Sequence, residues 1–165
     1  MTLLNRGLLA SDINPITDEA PPKKKGGRAA GSPTVRSLKR LREAGWLADK
    51  VEQRLAMPGH FVTKDLFGFG DILAVNEDLG VLIVQTTSGD NVSKRLRKMD
   101  TPPEEGEPDV RAALIRCLRA GIHVEAHGWA KRGLRGERKL WKCRVVTAKL
   151  LIVGNDYAIG WEEEP

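Results

Sequence analysis

Lys64-Asp65-Leu66-Phe67-Gly68-Phe69-Gly70-Asp71-Ile72-Leu73-Ala74-Val75, followed by Val81-Leu82-Ile83-Val84-Gln85-Thr86-Thr87-Ser88, decides the fold. Two apolar runs flank a short polar turn at 76–80, which predicts two strands paired as a hairpin. In such a pair the first residue of one strand lies beside the last residues of the other. Asp71 therefore falls near Gln85 and Thr87 at one end of a sheet. An acid meeting a neutral oxygen donor there can hold a hard cation such as Mg²⁺. The second run is apolar on both faces at its start, which predicts a central, buried strand.

Upstream, Ser32-Pro33 suits a helix N-cap and first position, and Gly45 suits its end. Between them Val35, Leu38 and Leu41 recur at helical spacing, with Arg36, Lys39, Arg40 and Arg42 on the other faces. Residues 46–52 read as a first strand with Trp46, Ala48, Lys50 and Glu52 on one face. Residues 55–66, around Pro58-Gly59, read as a loop. Downstream, 91–99 reads as a short basic helix and 102–109 as a Pro-rich acidic loop. A second helix covers 110–120, with Val110, Leu114 and Leu118 in one stripe and Gly121 as its stop. Strands follow at 122–129 and 140–146, around a Gly- and Arg-rich turn. The long connection from 91 to 120 lets the strand at 122 pair parallel to the strand at 81 through a right-handed crossover. The expected class is α/β, a mixed central sheet flanked by helices. A basic tail is expected over 1–32, one domain over 33–150 and an acidic tail over 151–165.

The chain has 165 residues and a net charge of +5, enough for one domain and one core. Acids collect at Glu104, Glu105, Glu107 and Asp109, and again at Glu162 to Glu164, and between these clusters the chain is strongly basic. That layout suits a polyanionic partner, nucleic acid first. Cys117 and Cys143 form no close pair and predict reduced thiols in a cytoplasmic protein. No apolar run reaches the length of a membrane span. Asp12, Asp18 and Glu19 break the order of a signal peptide.

The element order αβββαβ, with Gly70-Asp71 opening the second strand and Gln85-Thr86-Thr87 closing the third, resembles the PD-(D/E)XK nuclease superfamily. The likeness is nearest to its Holliday-junction-resolvase-like members and small phage and bacterial relatives, and it spans residues 34–147. Thirteen residues separate Asp71 from Gln85, an ordinary gap for that motif. The resemblance implies a restriction-endonuclease-like core. It also implies a Mg²⁺ (or Mn²⁺) ion held by Asp71, Gln85 and the Thr86 carbonyl; Glu52, at the end of the neighbouring strand, could add a carboxylate, and Asp65 in the loop is a further candidate. The motif lysine is replaced by Thr87. Lys64, Lys94 and Lys50 are the candidates to supply the missing ammonium. Read as residues alone, Asp71 could equally cap a turn, and Glu52 and Asp65 could be solvated acids.

Thr86 to Asn91 places hydroxyls and amides before a helix, which suits a phosphate or simple capping by Ser88 or Asp90. Lys94 and Lys98 stand one helical turn apart beside Arg95, and can face one backbone. With Ser88, Asn91, Lys131, Arg132 and Arg135 they are the candidate DNA-binding residues. Their alternative is a solvated basic face. His123 and His127 would lie roughly 13 Å apart on a strand, too far to share an ion. Trp129 and Trp141 flank the basic turn, as packing residues or as stacking platforms. The expected activity is a metal-dependent DNA endonuclease, acting on branched DNA, with DNA and no membrane as partner and a homodimer left open. The alternatives are a nuclease-fold module that binds without cutting and a phage assembly protein. The expected setting is a bacterial or phage-infected cytoplasm.

Overall fold

The computed structural model describes residues 31–51 and 53–164. The expected tail therefore lies almost wholly outside the described residues, as does Glu52. The elements are α1 (Pro33–Glu43), β1 (Leu47–Lys50), β2 (Gln53–Met57), β3 (His60–Lys64), β4 (Ile72–Asn76), β5 (Gly80–Ser88), α2 (Val92–Asp100), α3 (Val110–Arg119), β6 (His123–Arg132), β7 (Leu140–Val153) and β8 (Asp156–Glu163). A 3₁₀ turn, Gly89–Asn91, leads into α2.

The sheet order is β1-β4-β5-β6-β7-β8. All neighbours run antiparallel except β5 and β6, which are parallel, with Gln85 opposite Ala126. The α2–α3 connection is the crossover that the parallel pair requires. β5 sits inside the sheet, and residues 82–87 are buried on both faces. One core cluster places Phe69, Ile83, Met99, Leu114, Cys117 and Val124 beneath α3. A second places Leu41, Ile72, Ala74, Leu82 and Val84 beneath α1. Both cysteines are free thiols. Burial pushes both upward, Cys143 to about 11, so they stay protonated.

Three expectations need correction. Residues 55–66 are not a loop: β2 and β3 pair as a hairpin, Met57 opposite His60, across the Pro58-Gly59 turn. Of the tail expected over 151–165, residues 151–163 belong to strands and their turn. β7 runs to Val153, Gly154 turns at φ +62, and β8 returns along it, placing Ile159 and Trp161 on the core. In α1 the inward stripe holds Ser37 and Leu41, whereas Val35 is exposed. Polar side chains can point inward there because they find partners.

Two glycines fix how the helices meet the sheet. A Cβ on Gly128 would stand 2.2 Å from Val92 Cγ2, and one on Gly89 would stand 2.8 Å from Ala130 Cβ. Both bare backbones let the start of α2 press onto β6. That contact aims the basic face of α2.

Candidate active site

The site is built by register. Ile72 pairs with Val84, and the Asp71 N–H donates to the Val84 carbonyl at 3.0 Å, which sets Asp71 beside Gln85. The chain reaches Asp71 through a tight turn in which Gly70 lies against β5. A Cβ there would stand 2.6 Å from Ile83 Cγ2. Only glycine fits that approach, which explains the Gly70-Asp71 sequence.

Asp71 is 8% exposed, and its Oδ2 accepts three hydrogen bonds. They come from Gln85 Nε2 at 2.8 Å, the Thr86 N–H at 2.6 Å and Thr86 Oγ1 at 2.7 Å. Such a convergence of donors suits a charged carboxylate. Gln85 Nε2 also donates to the Thr86 carbonyl at 3.2 Å. Thr34, at the start of α1, meets Thr86 through their hydroxyls at 2.9 Å. Thr34, Thr63, Asp65, Asp71, Gln85, Thr86, Thr87, Ser88 and Arg95 line an open cleft of about 460 Å³.

The donor set can be tested against the ion that the resemblance implies. Among the described residues no three His, Cys, Asp or Glu side chains gather at one point. Mg²⁺ commonly takes only one or two carboxylates, with waters and substrate oxygens completing its shell. The end of the Gln85 amide lies 2.8 Å from a carboxylate oxygen and 3.2 Å from a carbonyl oxygen. An octahedron of oxygens at Mg²⁺ distance has edges of about 2.9 Å. Rotation of the amide would exchange its nitrogen for Oε1, bringing an amide oxygen about that far from each of the other two. Asp65 adds a second carboxylate to the same cleft. The residues fit such an ion, provided the amide turns.

The lysine candidates do not line the Asp71 cleft. Lys94 lines a neighbouring cleft of about 290 Å³ with Thr87, Asn91, Arg95 and Lys98. Lys64 lines another, with Gln53, Asp65 and Phe67. Lys50 ends β1 and lines neither cleft nor the Asp71 cleft. Among the described residues the cation that borders the Asp71 cleft is Arg95, which sequence reasoning placed only among the DNA contacts. Its signal was present: Lys94 and Arg95 are adjacent, so they aim about 100° apart on a helix. Thr34 carried no signal beyond its place on the stripe of Ser37 and Leu41.

The remaining candidates are dispersed. Ser88 accepts from Asn91 Nδ2 at 2.8 Å and makes no side-chain cap. Lys131 and Arg132 end β6, and Arg135 lies in the β6–β7 turn. Trp141 lies beneath Arg36, whose guanidinium is 3.7 Å from the ring centre, with Lys131 at 5.6 Å. Trp129 Nε1 donates to Ser37 Oγ at 2.9 Å. His127 is buried between Ser37 and Glu125, a packing role, and His123 is exposed. No helix among the described residues is long and apolar enough to cross a membrane. Comparison with protein-family models, curated proteins and solved structures gives no match.

Proposed function

We propose that this chain is a metal-dependent DNA endonuclease on a PD-(D/E)XK-like core. One observation carries the reading. The Asp71 cleft continues through Thr87 and Arg95 into the cleft of Asn91, Lys94 and Lys98. An acid–amide–carbonyl cluster thus opens onto a basic track that suits a phosphodiester backbone. The element order supports it: α1, β1, β4, β5, the α2–α3 crossover and β6 follow αβββαβ, with one hairpin inserted and β7–β8 appended.

In this reading Asp71, the Gln85 amide oxygen and the Thr86 carbonyl would hold Mg²⁺, whose chemistry there would be Lewis-acid activation of the phosphate and of a water. Thr34 and the Thr86 hydroxyl and N–H fix the carboxylate in place. Arg95 supplies the positive charge that Thr87 lacks and meets the charge developing on the phosphate. Lys94 and Lys98 hold the flanking backbone.

The test is cleavage of linear, single-stranded and branched DNA with Mg²⁺ or Mn²⁺. Wild type should cut at least one of them. Asp71→Asn keeps the shape of the cluster and removes its charge. It should lower cutting by a factor on the order of 10² or more, with DNA binding unchanged or tighter. Gln85→Glu adds a charge and should tighten the Mg²⁺ dependence of cutting. If clean wild-type protein cuts none of these substrates, the reading fails.

One observation favours a second reading, a nuclease-fold module that binds DNA without cutting. Gln85 Nε2 donates to both Asp71 and the Thr86 carbonyl, so the cluster can serve as a structural brace. Salt-sensitive binding without cleavage would establish that reading.

A further inference from the structure

We infer that Arg36, Trp141 and Lys131 form a separate phosphate site on the α1 side of the sheet end, and that it holds the DNA backbone beyond the Asp71 cleft. The inference rests on the proposed DNA-binding reading and adds where the backbone runs once it leaves the cleft.

Among the described side chains four arginines are partly buried: Arg36, Arg95, Arg111 and Arg144. A guanidinium withdrawn from water calls for a partner. Arg111 has Asp100 and Arg144 has Glu163. Arg36 and Arg95 have no carboxylate among the described residues. Both stand at the same end of the sheet. Arg95 lines the Asp71 cleft, and Arg36 follows by two residues Thr34, which lines it too.

The two are held differently. Arg36 lies flat on Trp141, its guanidinium carbon 3.7 Å from the ring centre, and Nη1 donates to the Gly31 carbonyl. A stacked guanidinium spends its face on the ring and keeps its edge for planar recognition of an anion. Lys131 Nζ stands 5.6 Å from the same ring. Strand parity agrees with this grouping. His127 and Trp129 reach Ser37 of α1, so Lys131, on the same face of β6, also points to the α1 side. Trp141 is its cross-strand neighbour. One ring thus positions two cations, and Trp141 remains 40% exposed beside them.

Charge identifies the ligand as an anion. The acids that face α1 are engaged elsewhere: Glu125 with His127, Glu162 with Lys149 and Glu164 with Arg40. Asp90 follows Gly89, which sits against Ala130 on the other face of β6. Glu137 is in the β6–β7 turn, where Arg135, Arg138 and Lys139 outnumber it. Two fixed cations without a counter-charge suit a phosphate.

Position makes it a backbone phosphate. Thr86, which binds Asp71, pairs with His127, and Lys131 lies four residues further along β6. Backbone spacing puts Lys131 roughly 14 Å from Thr86. That is about four nucleotides of rise along one strand of a duplex. A backbone crossing the sheet end from Lys98 past Asp71 therefore meets Arg36 and Lys131 on the far side.

The experiment uses the full chain without divalent metal, so that binding is read without cutting. The four tryptophans are replaced by 5-fluorotryptophan, and Trp141→Phe assigns the Trp141 signal in fluorine NMR. A linear duplex should shift that signal, and inorganic phosphate at millimolar concentration should shift it the same way, whereas chloride of equal ionic strength should not. Lys131→Gln, at an exposed residue, should lower the slope of log K against log salt by about 0.9, and adding Arg36→Gln should lower it by about that much again. Lys142→Gln removes the same charge from the residue beside Trp141, on the opposite face, and should leave the slope near that of wild type.

A Trp141 signal that stays in place while DNA binds would overturn the site and make the stacked group a staple between α1 and the hairpin. Equal slopes for Lys131→Gln and Lys142→Gln would also overturn it. In both cases the cleft and its cations keep their claim on DNA. A shifted signal and a lowered slope in a protein that cuts nothing would uphold the site and remove only the enzyme reading. Failure of wild type to bind DNA would overturn the site together with the reading on which it rests.

Discussion

Ser37, on the inner stripe of α1, is wholly buried and joins two residues of β6. Trp129 Nε1–H can only donate, so Ser37 Oγ accepts from it. The serine proton then goes to His127 Nδ1 at 3.0 Å, and His127 carries its own proton on Nε2, donating to Glu125 at 2.9 Å. The relay runs one way, from Trp129 through Ser37 and His127 to Glu125, and leaves no buried polar side-chain atom unpaired among the described residues. Serine, histidine and a glutamate in sequence suggest a nucleophile, but an oxygen with no exposure cannot reach a substrate. The relay locks α1 to the sheet. Ser37→Ala strands the Trp129 donor and the His127 acceptor in the interior and should cost about 2–4 kcal/mol. Urea unfolding of the variant measures it; a loss below about 0.5 kcal/mol would mean that water replaces the hydroxyl. None of this was legible in the sequence. The partners stand 90 and 92 residues apart, and a lone serine in a helix carries no mark of what it will face. Asp71 and Gln85 were legible for the opposite reason. They lie at the ends of two strands joined by a short turn, so local register alone brings them together.

At the scale of elements, the two hairpins missed in the sequence show what apolar pattern can and cannot reveal. The described side chains of β2 and β3 are all exposed, so the alternation that marks a half-buried strand is weak. Only the Pro58-Gly59 turn between β-favouring residues gave a signal. β8 carried a better one: Tyr157, Ile159 and Trp161 alternate after a Gly154-Asn155 turn, a hairpin pattern masked by the acids that follow. Those acids have partners. Glu163 receives both arms of the Arg144 guanidinium, at 2.9 and 2.7 Å, which holds its carboxyl below the usual range. Arg111 reaches the Tyr157 carbonyl, and Arg119 lies 4.7 Å from the Tyr157 ring, so α3 also clasps β8. A chain ending at Gly154 should therefore lose Ile159 and Trp161 from the main core and expose Ala148 and the length of β7. Its thermal transition should be broadened or absent in circular dichroism. A sharp transition within a few degrees of the full chain would make β8 an ornament rather than part of the core.

Across the whole molecule, the sheet acts as the frame on which a field is arranged. The parallel step from β5 to β6 forces the chain through α2, and Gly89 and Gly128 seat the start of α2 against β6. Three basic side chains, Lys94, Arg95 and Lys98, consequently stand along one route from the acid cluster outward. A net charge of +5 alone attracts polyanions without direction. A row of fixed cations beside a cleft instead sets where a backbone lies. The two contributions separate by salt. Each phosphate neutralised by the protein contributes about 0.9 to the slope of log K against log salt on duplex DNA. Replacing Lys94, Arg95 and Lys98 together by alanine should reduce that slope by about 2–3 in magnitude if each cation meets a phosphate. A similar triple replacement at Arg132, Arg135 and Arg138, in and beside the β6–β7 turn, removes the same charge at a different place. If position matters, only the α2 set should both flatten the slope and weaken binding more at low salt than at high salt. Equal losses from the two sets would mean that net charge alone attracts DNA, and the track beside Asp71 would then have no special claim on the backbone.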